Sequence, residues 1–161
     1  MAKTAPVGAG ASGRAVSWAW RLSLALAVLG MLVSGYLTWI KVSNTQAFCS
    51  GVGDCEAVNS SAYSEIHGVP VAVLGFAAYL AIAALLATEK RLAALREYAP
   101  LAIFGLALTG TLYSAYLTYV ELFVIKAVCP YCVASALIIT TILILSILRL
   151  LRGLTGGEEA G

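Results

Sequence analysis

Charged side chains are scarce in this chain, 11% of 161 residues against 61% hydrophobic, and that shortage excludes a soluble globular domain. A core of this length cannot bury so much apolar surface, so the chain reads as an integral membrane protein. Histidine is scarcer still. His67 is the single imidazole, which excludes a histidine-built metal centre, and no metal is expected. No glycine-rich phosphate loop is present and no ladder of charges runs through the apolar stretches, so nothing points to transport. The net charge of +2 comes from basic residues dispersed at the ends of apolar runs, which speaks of topology and not of a nucleic-acid partner. No convincing small-residue cleavage site follows the first run, so it is expected to remain as a membrane helix.

What the chain does have is four apolar runs, residues 16–40, 69–87, 99–123 and 129–150. Each approaches the roughly 20 residues needed to cross a bilayer as a helix. The expected fold is therefore all-α, an integral membrane four-helix bundle, with one domain over residues 16–150 between flexible tails at 1–15 and 151–161. The first two runs are joined by a long loop, 41–68, and loops of that length in compact domains are usually functional. Pro70 is placed to open the second helix. Of the ten basic residues, Lys3, Arg14, Arg21, Lys90, Arg91, Arg96, Arg149 and Arg152 fall on one side, against Lys41 and Lys126 on the other. By the positive-inside rule both termini are cytoplasmic and the long loop is extracytoplasmic. Tyr113, Tyr116 and Tyr119, with Tyr36 and Trp39, gather toward the outer end, as rings do at a membrane interface.

All four cysteines then lie on the outer side, where disulfides persist. Cys129-Pro130-Tyr131-Cys132 stands where a charged loop meets the last apolar run, and two cysteines at this spacing can cycle between dithiol and disulfide. Proline suits the first position of a helix, because its missing N–H has no partner there anyway. With Cys129 as the cap and Cys132 one turn inside, both sulfurs lie near the positive end of the helix dipole, which favours the thiolate. Apolar burial opposes this, so reactivity is expected without a definite pKa. Cys49 and Cys55 share a glycine-containing loop, and a disulfide between them is geometrically possible. A loop pair beside a helix-end pair makes a relay, since thiolate attack on a disulfide moves the oxidised bond from one pair to the other.

Three segments together resemble the vitamin K epoxide reductase family, bacterial branch. They are the loop Cys49…Cys55-Glu56-Ala57-Val58-Asn59-Ser60-Ser61, the stretch Gly68-Val69-Pro70-Val71-Ala72-Val73-Leu74-Gly75, and Cys129-Pro130-Tyr131-Cys132 after a tyrosine-rich third helix. The resemblance implies a membrane thiol oxidase in which a four-helix bundle surrounds a quinone, ubiquinone or menaquinone, and four cysteines carry electrons to it. It implies that Cys132 faces the quinone with Cys129 as its disulfide mate. Cys55 then exchanges with Cys129, Cys49 meets the electron donor, and Ser61 lies near the quinone and donates a hydrogen bond to it. Relatives often carry a fused thioredoxin-like domain behind a fifth helix. With four spans here, the expected reductant is a separate thioredoxin-like disulfide donor protein, and the expected location is the bacterial cytoplasmic (inner) membrane. The position four beyond Cys132, often tyrosine in the animal enzymes, is Ala136, so vitamin K epoxide activity is not carried over.

Two other readings compete with this one. An unrelated bacterial membrane disulfide oxidase has the same task but the reverse order of cysteine pairs. A non-catalytic membrane subunit or transporter would use a loop disulfide only as a staple. Glu121 lies close in sequence to Lys126 and is expected at the interface, as is His67. Gly30 with Ser34, and Gly105 with Thr109, are expected to let helices approach closely.

Overall fold

The structure, a computed structural model, describes residues 9–43, 45, 54–89, 91 and 93–158. It is an all-α membrane bundle. Four helices are long and apolar enough to cross a bilayer, with spans at Trp18–Ser43, Val71–Thr88, Tyr98–Ile125 and Pro130–Arg152. They belong to α1 (Ala9–Ser43), α3 (Val71–Thr88), α4 (Ala93–Tyr119) with its continuation, and α5 (Pro130–Glu158); a short α2 (Cys55–Asn59) precedes α3. Helix α1 packs on α3 and α5, and α4 on α5 and α3, which places α1 and α4 on a diagonal of the bundle. Residues 9–15 and 151–158, expected as tails, continue α1 and α5, because backbone hydrogen bonding does not stop where hydropathy falls.

The core is small and central. Ala27, Tyr79, Ile82, Leu86, Ile103, Ala107, Ile138, Ile139 and Ile142 form one buried cluster contributed by all four long helices. Outside it, large apolar side chains such as Leu32, Leu101, Leu112, Leu137 and Ile144 are exposed on the bundle's flanks. In water such a surface would aggregate; toward lipid it is the required face. The close approaches differ from expectation. A Cβ on Gly30 would overlap the Tyr79 ring, so the missing side chain lets α1 and α3 meet. Gly105, by contrast, faces open space, and it is Gly110 whose Cβ would stand 2.9 Å from Ile139, at the α4–α5 contact. Heptad-like spacing of small residues does not say which face of a helix meets a neighbour; packing decides it.

The loop between the first two spans is folded. Helix α2 is capped by Asp54, whose Oδ1 accepts the Ala57 N–H at 3.0 Å. A 3₁₀ turn, Ala62–Ser64, leads into a two-stranded antiparallel hairpin, β1 (Glu65–Ile66) and β2 (Val69–Pro70), with Ile66 opposite Val69. His67 and Gly68 form its two-residue turn with φ of 51° and 81°. Positive φ at both positions is what a type I′ turn demands. His67 is exposed there, at the tip of the hairpin. Pro70 ends β2 and caps α3, so the helix begins at Val71, one residue after the expected start.

Lys41, at the end of α1, ties this cap down. Its ammonium donates to the Asn59 carbonyl at 2.6 Å and to Ser64 Oγ at 3.1 Å, and pairs with Glu65 Oε1 at 3.1 Å. One cation from the first span thereby holds three parts of the lid that α2, the 3₁₀ turn and the hairpin form.

Candidate functional site

Helix α4 does not end cleanly. It passes into six residues of π-helix, Val120–Ile125, closed by Lys126 in the left-handed region at φ 57°. The Glu121 carbonyl collects the N–H groups of both Lys126 and Ala127. A π turn holds an extra residue, so side chains beyond its start are rotated relative to an α-helix. Here the rotation carries Glu121 inward. Its side chain is 3% exposed, and Oε2 accepts the Cys129 backbone N–H at 3.3 Å. Sequence reasoning placed Glu121 at the interface with Lys126; the structure corrects this, because Lys126 is exposed and turns away while Glu121 joins the cysteines. The available signal was an ionisable residue inside an apolar run, eight positions before Cys129.

Helix α5 begins at Pro130, and its first bond is Val133 N–H to the Cys129 carbonyl at 3.1 Å. Cys129 therefore occupies the cap position and Cys132 the first turn. Both are free thiols, Cys129 buried and Cys132 half-buried. The Cys132 thiol is in hydrogen-bonding contact with the Cys129 sulfur and with the Glu121 carboxyl. That thiol, with the N–H groups of Cys132 and Tyr131, brings Cys129 down from 9.0 to about 7, against the opposing effects of burial and the Glu121 charge. A low value at a helix start is the microenvironment of a reactive cysteine.

Above the thiols sits the lid. The Asp54 N–H donates to the Val128 carbonyl at 3.2 Å, which joins the lid to the segment just before Cys129, and α2 packs on the π turn. Cys55, first residue of α2, is buried and disulfide-bonded. Cys49 lies outside the described residues. Ser61 follows α2 and borders the space below, and its hydroxyl donates to the Val58 carbonyl at 2.8 Å.

That space is a cavity of about 400 Å³ within the bundle. Its mouth is lined by Cys129, Cys132, Glu121 and Ser61, its walls by Leu37, Leu74, Leu106, Leu117 and other apolar side chains. It reaches Tyr79, Ser135 and Ile139, about two helical turns below Cys132. At this depth Tyr79 lies over Gly30 and its hydroxyl donates to the Ser135 carbonyl at 2.9 Å, bridging α3 and α5. The structure thus brings Cys129, Cys132 and Ser61 to one cavity and sets Cys55 in the lid, next to Asp54 and its bond to Val128. Among the described residues no group of three potential metal ligands is gathered.

An apolar cavity in a membrane bundle with two thiols and a carboxyl at its mouth defines a class: multi-pass membrane proteins built around a cysteine pair. Within that class, the chain belongs to the vitamin K epoxide reductase family, whose model matches residues 21–147. It is also similar to the thiol-disulfide oxidoreductase LTO1 of Arabidopsis thaliana, with 34% identity over 123 residues. That match covers 73% of this chain and 33% of the plant protein, so the chain spans about a third of its relative's length.

Proposed function

We propose that this protein is a membrane thiol-disulfide oxidoreductase that takes electrons from a thioredoxin-like protein through Cys49 and Cys55, passes them to Cys129 and Cys132, and delivers them to a quinone. One observation carries the reading. Two free thiols, one of them at about pKa 7, open on an apolar cavity beneath a lid whose Cys55 is oxidised. The cavity volume of about 400 Å³ lies within the roughly 300–1,000 Å³ of small-molecule sites, and its apolar walls with a few polar groups at one end suit a ring with a hydrocarbon tail. Cys132 and Ser61 would stand nearest the ring. The quinone supplies an acceptor for two electrons and two protons.

The chain's own residues supply the rest. A reduced Cys55 attacks the Cys129–Cys132 disulfide at Cys129 and releases Cys132. Attack of Cys49 on Cys55 then expels Cys129, and a leaving thiol of lowered pKa departs faster. The outcome, an oxidised Cys55 and two reduced thiols at Cys129 and Cys132, is the arrangement of the described cysteines in the structure. Adding a reduced thioredoxin-like protein to a purified, quinone-loaded sample should bleach the quinone absorbance, and the Cys132→Ser protein should not respond. Absence of bleaching in the unaltered protein would overturn the reading.

We further infer a location in a bacterial cytoplasmic membrane with both termini inside, from the basic asymmetry of the chain. With the four native cysteines removed, an impermeant thiol reagent applied to intact cells should label Ser43→Cys and spare Thr88→Cys. The reverse pattern would invert the topology.

A second reading is favoured by the burial of Cys55 at 1% exposure, since a structural staple is also buried and oxidised. In Cys132→Ser the relay traps a Cys55–Cys129 bond, whereas the staple leaves Cys55 in its original bond and Cys129 alkylatable. Mass spectrometry of the non-reduced protein separates them.

A further inference from the structure

Closing the Cys129–Cys132 bond releases two electrons and two protons, and the two protons start from different places. Cys129 lies in the segment before α5, against the N–H groups of the helix start, and ionises at about 7. Its proton leaves to water at the mouth of the bundle. Cys132 lies inside the span, one turn deeper, and its thiol proton has two acceptors in contact, the Cys129 sulfur and the Glu121 carboxyl. When Cys129 becomes half of a disulfide it no longer accepts that proton. Glu121 still does.

The surroundings of Glu121 suit a proton carrier better than a structural ion pair. It is 3% exposed and is the one carboxyl among the described residues lining the cavity. The salt bridges of the described residues are Lys41–Glu65 and Arg149–Glu89, so no cation holds Glu121 in its charged form. Its Oε2 accepts a backbone N–H, which orients the carboxyl toward the thiols. Other titratable groups facing the cavity are the two thiols and the phenols of Tyr63 from the lid, Tyr79 from α3 and Tyr113 from α4. Of these, only the Cys129 sulfur is in contact with the Cys132 thiol.

We propose that Glu121 is the general base of the thiol pair: it takes the Cys132 proton as the Cys129–Cys132 disulfide forms and yields it to an acceptor oxygen in the cavity. The electrons leave with formation of the S–S bond. The second proton needed by the acceptor comes from the water that received the Cys129 proton. This rests on Cys129 and Cys132 being the redox pair proposed above.

The test uses the full chain without quinone. Reduced protein is oxidised with diamide from pH 6 to 9, and the Cys129–Cys132 bond is counted by mass spectrometry. For a lost general base of ordinary efficiency, Glu121→Gln should slow bond formation about 100-fold at neutral pH, rise with pH, and approach the unaltered rate at the alkaline end. Glu121→Asp should fall between the two. Redox-difference infrared spectra of the unaltered protein should show a carboxylic acid C=O band appearing on oxidation, and its absence counts against the proposal whether or not the variants fold. A Glu121→Gln rate equal to the unaltered one, or lowered by one factor at every pH, overturns it. If the unaltered protein forms no Cys129–Cys132 bond, the redox pair itself fails and this inference falls with it; if it does and the variant matches, only the role of Glu121 falls.

Discussion

Among the described residues two carboxyl side chains are buried, Glu89 at 8% and Glu121 at 3% exposure, and they stand at opposite ends of the bundle. Glu89 closes α3 and meets the guanidinium of Arg149 on α5 at 2.7 Å, beside the Trp20 indole that donates to the Leu86 carbonyl at 2.9 Å. Three helices are tied there by polar bonds whose partners are charged or aromatic. Glu121 has a backbone N–H and a thiol instead. The two sites have the same side chain and similar burial but opposite consequences. A carboxylate locked to a guanidinium holds helices together, whereas one beside a thiol has a reactive partner in place of a structural one.

Cutting the quiet end should give the largest effect on stability. Arg149→Leu leaves Glu89 buried without its cation, and breaking a buried pair from one side costs about 3–5 kcal/mol. A pair at the end of a bundle belongs at the lower figure, so a loss near 3 kcal/mol is expected, read by thermal unfolding in detergent. The thiol chemistry of Cys129 should be unchanged. A change in Cys129 reactivity would show that the two ends are coupled and would dissolve the comparison.

At the reactive end the sharpest measurement is the pH dependence of Cys129. Its pKa is lowered, so the thiolate is present above about pH 7 and is lost as pH falls through that value. Alkylation of Cys129 by a small reagent, followed site by site, should show a midpoint near 7. Cys132→Ala removes the main cause, the neighbouring thiol, but keeps the backbone N–H groups. The midpoint should move up from about 7. A midpoint that stays at 7 would assign the effect to the helix start alone.

The smallest effect is expected at the lid. Lys41→Met removes the ammonium shared by Asn59, Ser64 and Glu65, all partly open to solvent. Pairs of that exposure contribute up to about 1 kcal/mol, so global stability should barely change. Protease cleavage between α2 and the hairpin should nevertheless quicken. Unchanged cleavage would mean that the disulfide at Cys55 and the Asp54–Val128 bond hold the lid without Lys41.

Much of this was readable from local chemistry. The four spans follow from hydropathy, because a bilayer selects long apolar helices irrespective of what they pack against. The start of α5 at Pro130 follows from a ring that lacks an N–H at a position where none is needed. The three segments that resemble the vitamin K epoxide reductase family were equally visible, and the family match extends over residues 21–147. Less was visible in the small residues. Gly30 is a close contact, but with the Tyr79 ring, and on α4 it is Gly110 and not Gly105 that makes the approach.

The sequence alone determined the membrane class, the number of spans and the placing of a cysteine pair at a helix start, since each depends on composition or on neighbours within a turn. Only the tertiary structure decided that Glu121 faces the thiols and not the interface. One extra residue in the π turn Val120–Ile125 rotates the side chain inward, and the partners that hold it there come from the next helix. The cavity is likewise a tertiary fact, because its walls come from the lid and four helices that no sequence spacing aligns. Burial of an ionisable group depends on what is packed around it, and that is settled between elements and not within them.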